Sequence, residues 1–102
     1  MKKVIIDDVE YTPDTPKGDV KIVILQRGWV FVGYYSQDGE HGVLEKAMCI
    51  RIWGTTKGLG EIAANGPTDS TKLDAHGTVR FHDLTTIAII SCEEKKWISV
   101  LS

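Results

Sequence analysis

The sequence lacks any long apolar run. No stretch approaches the roughly 20 apolar residues that a membrane-spanning helix needs. Two lysines near the N-terminus precede a short apolar segment, but acidic residues interrupt that segment after three positions. The sequence therefore predicts no membrane partner and no signal peptide, and we expect a cytoplasmic protein.

An excess of charge of one sign is also missing. The chain has 12 basic and 14 acidic residues, which gives a formal net charge of −2. Proteins that bind duplex nucleic acid without sequence preference depend on a basic face for most of their affinity. We therefore do not expect duplex nucleic acid as a partner, although a local positive pocket remains compatible with this composition.

Residues that bind metals or perform nucleophilic catalysis are few and scattered. The two cysteines, Cys49 and Cys92, lie in separate predicted strands, and we interpret them as reduced core thiols. The three histidines have no spacing typical of metal ligands, and no nucleophile elbow occurs. The sequence thus predicts no metal, no cofactor and no enzymatic activity.

What is present suits one small domain with an N-terminal appendage. The chain has 102 residues, of which 42% are hydrophobic. Residues 1–11 have the pattern of a β-hairpin, and residues 12–19 form a linker that contains Pro13 and Pro16. Residues 20–102 then form the main domain, a small β-barrel-like unit.

The main domain is predicted to be mainly β with one short helix. We expect a rolled antiparallel sheet or partly open barrel of five to six strands, bent at Gly28 and Gly33. The strand from Thr85 to Ser91 is apolar on both faces and is therefore expected at the centre of the sheet. Residues 66–77 form a long polar loop. The remaining strands are expected at Val20–Gln26, Trp29–Ser36, Ala47–Trp53 (with Val43–Leu44 as a possible earlier pairing), Thr78–Phe81 and Trp97–Leu101.

The residues from Ala47 to Gly66 carry the clearest chemical suggestion. A strand is followed by a loop rich in glycine and threonine and by a helix from Leu59 to Asn65. Backbone N–H groups at a helix start can bind an anion. The alternative is a plain helix start, with Thr55 or Thr56 as its N-cap.

The proposed anion site draws on three sets of residues. The loop lacks the spacing of a nucleotide-hydrolysing P-loop and that of a dinucleotide-binding glycine motif, so binding without hydrolysis is the interpretation. The long polar loop would complete the site if it folded over the first loop, and the alternative is a plain solvated loop. Exposed aromatic rings are expected to stack on a base or to form a subunit interface. The candidate ligand-binding residues are Arg51, Thr55, Thr56, Lys57, Gly58 and Gly60, then Ser70, Thr71 and Lys72, and the rings of Trp29, Tyr35 and Trp53.

Several short motifs resemble a family of small proteins encoded by bacteriophages and prophages. The N-terminal segment Ile6–Tyr11 is similar to a short phage motif, with Asp8 in place of the usual glycine. Arg51 stands alone where the family has a doubled arginine. The motifs that carry the resemblance are Gly28–Gly33, Leu44, Ala47, Arg51–Gly54, Leu59–Ala63, Gly66 and Lys72.

The resemblance implies a phage setting rather than a chemistry. In that setting we expect a homo-oligomeric protein of the host bacterial cytoplasm that sequesters an anionic, nucleotide-like immune second messenger. Cyclic dinucleotides, cyclic oligonucleotides and cyclic ADP-ribose derivatives are the ligand types considered. The alternative is a protein–protein interaction module, either a virion accessory protein or an inhibitor of a host protein.

Overall fold

The computed structural model describes residues 4–6, 9–11 and 18–101. Strands β1 (Val4–Ile6) and β2 (Val9–Tyr11) pair antiparallel as a sheet of their own. The predicted linker lies outside the described residues except for Gly18 and Asp19, and Asp19 already begins the next strand. No helix in the described part of the chain is long and apolar enough to cross a membrane.

The main domain is a five-stranded antiparallel sheet with one short helix, so the predicted fold class is confirmed. The order across the sheet is β6-β5-β4-β3-β7. Helix α1 spans Leu59–Asn65, the bounds that the sequence predicts. The strands are β3 (Asp19–Leu25), β4 (Val30–Asp38), β5 (His41–Ile52), β6 (Lys72–His82) and β7 (Thr86–Ser91).

The sheet is rolled but not closed into a barrel. Strands β6 and β7 are its two edges, yet only the three-residue 3₁₀ turn Asp83–Thr85 connects them. The amide of Asp83 donates to the Glu40 carbonyl in the β4–β5 turn over 2.8 Å, while Thr86 already pairs with Leu25 on β3. Because three residues span only about 10 Å, the sheet must curl until these corners meet.

Apolar side chains pack on both faces of the sheet. Alternate residues of each strand point to opposite faces, and each set forms its own cluster. The helix-side core packs sheet residues against α1 and the C-terminal segment, and the opposite-side core fills the other face. The helix-side core consists of Val20, Ile22, Val30, Val32, Tyr34, Ile50, Leu59, Ile62, Ala63, Trp97 and Leu101. The opposite-side core consists of Val23, Leu25, Phe31, Leu44, Ala47 and Phe81.

Three sequence-based expectations about strands are wrong. The segment from Trp97 to Leu101 forms turns, in which the Leu101 amide bonds to the Trp97 carbonyl over 3.0 Å. Strand β7 is an edge rather than the centre, because β3 to β6 lie side by side in chain order and β7 returns to pair with β3. The polar loop ends at residue 71, since β6 begins at Lys72.

The bend expected at Gly33 lies in the neighbouring strand. Strand β4 keeps its alternation through Gly33, with Val32 and Tyr34 both in the helix-side core. The register between β4 and β5 instead shifts opposite Gly33, at a bulge where Lys46 has a φ of 53°. The bulge is thus carried by β5, which also shifts register against β6 there.

Candidate functional site

The two loops at the end of β5 and after α1 are packed together. The Thr68 hydroxyl donates to the Gly54 carbonyl over 2.6 Å, and the Thr71 hydroxyl donates to the Trp53 carbonyl over 2.7 Å. A β-carbon on Gly54 would lie 2.4 Å from the carbonyl carbon of Ser70, so no other residue permits this approach without a shift. The second loop therefore folds over the first, as the anion-site hypothesis requires.

The loop before α1 is a helix start held by its own side chains. The helix has only seven residues and begins at Leu59, with Gly58 as N-cap and no side chain capping it. The Thr55 hydroxyl accepts a hydrogen bond from the Gly58 amide over 3.1 Å, and the Thr56 hydroxyl donates to Glu61 over 3.0 Å. Neither threonine is the N-cap, which corrects that alternative, and both hydroxyls are engaged within the protein.

The second loop also satisfies its own polar groups. The Thr71 hydroxyl accepts the Thr68 amide over 2.9 Å, and the Thr68 hydroxyl accepts the Ser70 amide over 3.2 Å. These amides therefore donate to threonine hydroxyls and are not free to bind an anion. The exposed cations near the loops, Lys57 and Lys72, remain as the groups that can meet an anion there.

Arg51 lies at a bulge in β5, on the opposite-side face. Ile50 pairs with Leu73 and Ile52 pairs with Lys72 on β6, so Arg51 between them is the extra residue. Bulges are common beside functional sites because they redirect a side chain. The Arg51 guanidinium forms a 2.9 Å salt bridge with Asp74, and 60% of the arginine side chain stays exposed.

An aromatic ladder lies beside this ion pair. The Trp29 ring stacks nearly parallel on Phe31, with centroids 6.0 Å apart and planes 6° apart, and 53% of Trp29 is exposed. His76 meets Phe31 edge-on at 5.5 Å. Phe31 pairs with Cys49, which pairs in turn with Asp74, so the ladder and the ion pair share one face. We call these six residues the Trp29–Arg51 surface: Trp29, Phe31, Cys49, Arg51, Asp74 and His76.

The pKa of the Cys49 thiol reflects its charged neighbours on the Trp29–Arg51 surface. Burial raises the pKa of the Cys49 thiol, the Asp74 carboxylate raises it further, and the Arg51 guanidinium lowers it. A thiol with a raised pKa stays protonated near neutral pH and is a poor nucleophile. Cys49 is therefore poorly suited to act as a nucleophile on this surface at neutral pH.

The predicted site residues do not all meet. Trp29 and Arg51 lie on the Trp29–Arg51 surface, whereas Tyr35 pairs with Leu44, seven residues from Arg51 along β5 and on the order of 20 Å away. Tyr35 stacks on Phe81, and its hydroxyl bonds to Gln37. Tyr35 therefore cannot cover a ligand held by Arg51, and its inclusion in one site with Arg51 is corrected. Trp53 is partly exposed in the loop after β5.

Sequence reasoning did not include Asp74 and His76 in the site. Alternation in a strand would have placed both on one face, but this stretch was interpreted as loop.

No family model and no curated protein matches the chain. Among the described residues, no group of three or more His, Cys, Asp or Glu side chains is placed to hold a metal ion.

Proposed function

We propose that the protein is a non-catalytic binding protein for an anionic, ring-containing small molecule of the nucleotide type. In the phage setting that the sequence resemblance implies, it would sequester a cyclic dinucleotide, cyclic oligonucleotide or cyclic ADP-ribose-type messenger without cleaving it. The observation that carries the proposal is the exposed Trp29 ring, stacked on Phe31 on the same face as the exposed Arg51 guanidinium.

The Trp29 ring supports recognition of a base. One of its faces already packs against Phe31, which holds the ring in place, while more than half of the residue stays exposed. Stacking of a base on an aromatic side chain contributes about 1–3 kcal/mol. A ring fixed in this way can stack on a ligand with little loss of side-chain freedom.

Arg51 supports recognition of a phosphate. Its salt bridge with Asp74 joins two exposed groups, and exposed pairs of this kind contribute about 0–1 kcal/mol. A charge-assisted hydrogen bond to a phosphate contributes about 1.5–3 kcal/mol, so a phosphate can replace or share the carboxylate. Lys72, opposite Ile52 at the start of β6, adds a second positive charge near Arg51.

A thermal-shift screen with the three classes of cyclic nucleotide tests the proposal. A ligand at a hundred times its Kd should stabilise the protein by about 2.7 kcal/mol. The bound compound should be recovered intact by mass spectrometry after denaturation. A cleaved product would assign the protein to the enzymes, and no shift with any compound would contradict a nucleotide ligand.

Matched variants locate the site. Arg51→Ala should weaken binding about 10- to 100-fold, as one charge-assisted bond implies. Arg80→Ala is the control, because Arg80 also forms an exposed 2.8 Å salt bridge with an aspartate, Asp38, in another part of the sheet. Trp29→Ala should weaken binding by a similar factor. Equal losses from Arg51→Ala and Arg80→Ala would show that the Trp29–Arg51 surface is not the site.

A protein–protein interaction module is the second candidate. It is favoured by a different observation, the exposed isoleucines and leucine on and beside β7, namely Leu84, Ile87 and Ile89. Apolar side chains gathered at the surface often mark contacts with another protein. Capture of one defined host or virion protein, with no response to nucleotides, would support this candidate instead.

A further inference from the structure

We propose that Asp74 is a positioning residue of the anion site. It holds Arg51 through Nε, so that the terminal Nη1–Nη2 edge of the guanidinium binds two oxygens of one phosphate group. This inference rests on the proposed function and deepens it, because it names the group that Arg51 binds and gives its acidic partner a role. The alternative role for Asp74 is competition with the ligand for Arg51.

The bond between the two residues engages only one side of the guanidinium. Arg51 donates from Nε to Oδ2 of Asp74 over 2.9 Å, and within the described part of the chain its terminal nitrogens have no acceptor. Arginine has five N–H donors in one plane, and its terminal pair matches the spacing of two phosphate oxygens. With 60% of the side chain exposed, a ligand can reach Arg51 while Asp74 stays in place.

A second arginine–aspartate pair of the same sheet has the other geometry. Arg80 donates to Oδ2 of Asp38 over 2.8 Å, but from the terminal Nη1. Both pairs are exposed. A carboxylate on a terminal nitrogen occupies a donor that a phosphate would need, whereas a carboxylate on Nε leaves both terminal nitrogens available. The geometry at Arg51 therefore favours positioning over competition.

The register of the sheet places Asp74 and Trp29 on either side of Arg51. Cys49 pairs with Asp74 on β6 and with Phe31 on β4. Arg51 lies two residues beyond Cys49, and Trp29, whose backbone is extended, lies two residues before Phe31 and so reaches the level of Arg51. Ordering a long side chain on binding reduces affinity, and Asp74 completes part of that ordering in advance. A nucleotide that carries a phosphate beside its base can then contact both Arg51 and Trp29.

Two substitutions of Asp74 separate positioning from competition. Asp74→Asn removes the negative charge and keeps an oxygen that accepts the Nε–H, whereas Asp74→Ala removes both. Inorganic phosphate is the probe, and NMR titration of the backbone amides around Arg51 gives its dissociation constant. Positioning predicts that Asp74→Ala binds phosphate about 2- to 10-fold more weakly than Asp74→Asn. Binding by Asp74→Ala that is equal to or tighter than binding by Asp74→Asn would show competition and overturn the inference.

The Arg80–Asp38 pair supplies the controls. Asp38→Ala releases Arg80 instead of Arg51, so it should leave the phosphate affinity at Arg51 unchanged. In the wild-type protein the Nε–H of Arg51 should exchange with water more slowly than that of Arg80, because Asp74 accepts the former and Asp38 is bonded to Nη1. Equal exchange rates, or phosphate that shifts no amide near Arg51, would also overturn the inference.

Phosphate and the cyclic nucleotides together distinguish this inference from the proposed function. If phosphate follows the expected order of the two Asp74 variants and no cyclic nucleotide binds, the role of Asp74 is supported and the nucleotide ligand is refuted. If a cyclic nucleotide binds both variants with equal affinity, the proposed function is supported and the role of Asp74 is refuted.

Discussion

Trp97 fixes the C-terminal segment to the rest of the domain, and its removal should be the most damaging single change in the helix-side core. The side chain is fully buried, with 0% exposed. Its indole N–H donates to the Ile62 carbonyl of α1 over 3.0 Å. The same residue thus joins the turns after β7, the helix and the sheet through one ring.

Two substitutions at Trp97 should lower the free energy of unfolding by different amounts. Trp97→Ala removes the whole ring and leaves a cavity, which costs about 3–5 kcal/mol in cores of this kind. Trp97→Phe keeps most of the volume and loses the hydrogen bond. The Ile62 carbonyl still accepts the Gly66 amide over 2.8 Å, so no buried carbonyl is left unpaired. We therefore expect Trp97→Phe to cost about 2 kcal/mol.

Urea denaturation followed by circular dichroism measures both losses. For a domain near this size, a loss of 3–5 kcal/mol lowers the melting temperature by at least about 12 °C. Trp53→Ala is the control, because Trp53 is partly exposed and should cost well under half as much. Equal losses for Trp97→Phe and Trp97→Ala, or a loss below about 1.5 kcal/mol for Trp97→Ala, would refute the role assigned to the ring.

Two further predictions concern the helix cap and the half-buried thiol of Cys92. Gly66 has a φ of 83°, and a β-carbon there would lie 2.8 Å from the Lys96 carbonyl oxygen, so Gly66→Ala should cost about 2 kcal/mol or more in chemical denaturation. Gly60→Ala, in the same helix with nothing within 4 Å, should instead stabilise by about 0.4–1 kcal/mol, and the same sign for both would contradict this account. Burial raises the pKa of Cys92 from its usual 9.0 to about 11. Because the raised pKa belongs to the folded state, the contribution to stability is full below pH 9 and is lost as pH rises toward 11. At pH 8, Cys92 in the native protein should react with iodoacetamide about 100-fold more slowly than in urea, and equal rates would contradict the burial.

The accuracy of the sequence-based predictions follows from how local each signal is. Helix α1 was predictable to the residue because Gly66 ends it. Its φ of 83° favours glycine, although its ψ of 175° is not that of the left-handed helical cap expected from the sequence. The turns after Trp97 were mistaken for a strand. Only Trp97 and Leu101, which are four residues apart, are buried in that segment, and that spacing belongs to a helical turn. The segment is too short for the residue spacing of a strand to be distinguished from that of a helical turn.

The site was less predictable because its geometry depends on partners far away in the sequence. Arg51 meets Asp74 because Cys49 pairs with Asp74 on β6 and alternation puts Arg51 on the same face as Cys49. Likewise β7 is apolar on both faces, which is typical of a central strand, yet chain connectivity makes it an edge. Neither fact can be read from composition or periodicity.

The register of the sheet links the two proposed surfaces and separates their tests. Asp74, Cys49, Phe31, Val23 and Ile89 are successive partners across all five strands, so the Trp29–Arg51 surface and Ile89 lie on one face. Four strand spacings of about 4.8 Å put Asp74 roughly 19 Å from Ile89 along the sheet. A small ligand held at Arg51 would therefore not contact Ile89. Ile89→Lys should leave the ligand affinity unchanged, because the exposed isoleucines of β7 form a separate patch. A loss of affinity in Ile89→Lys would contradict a ligand site confined to the Trp29–Arg51 surface.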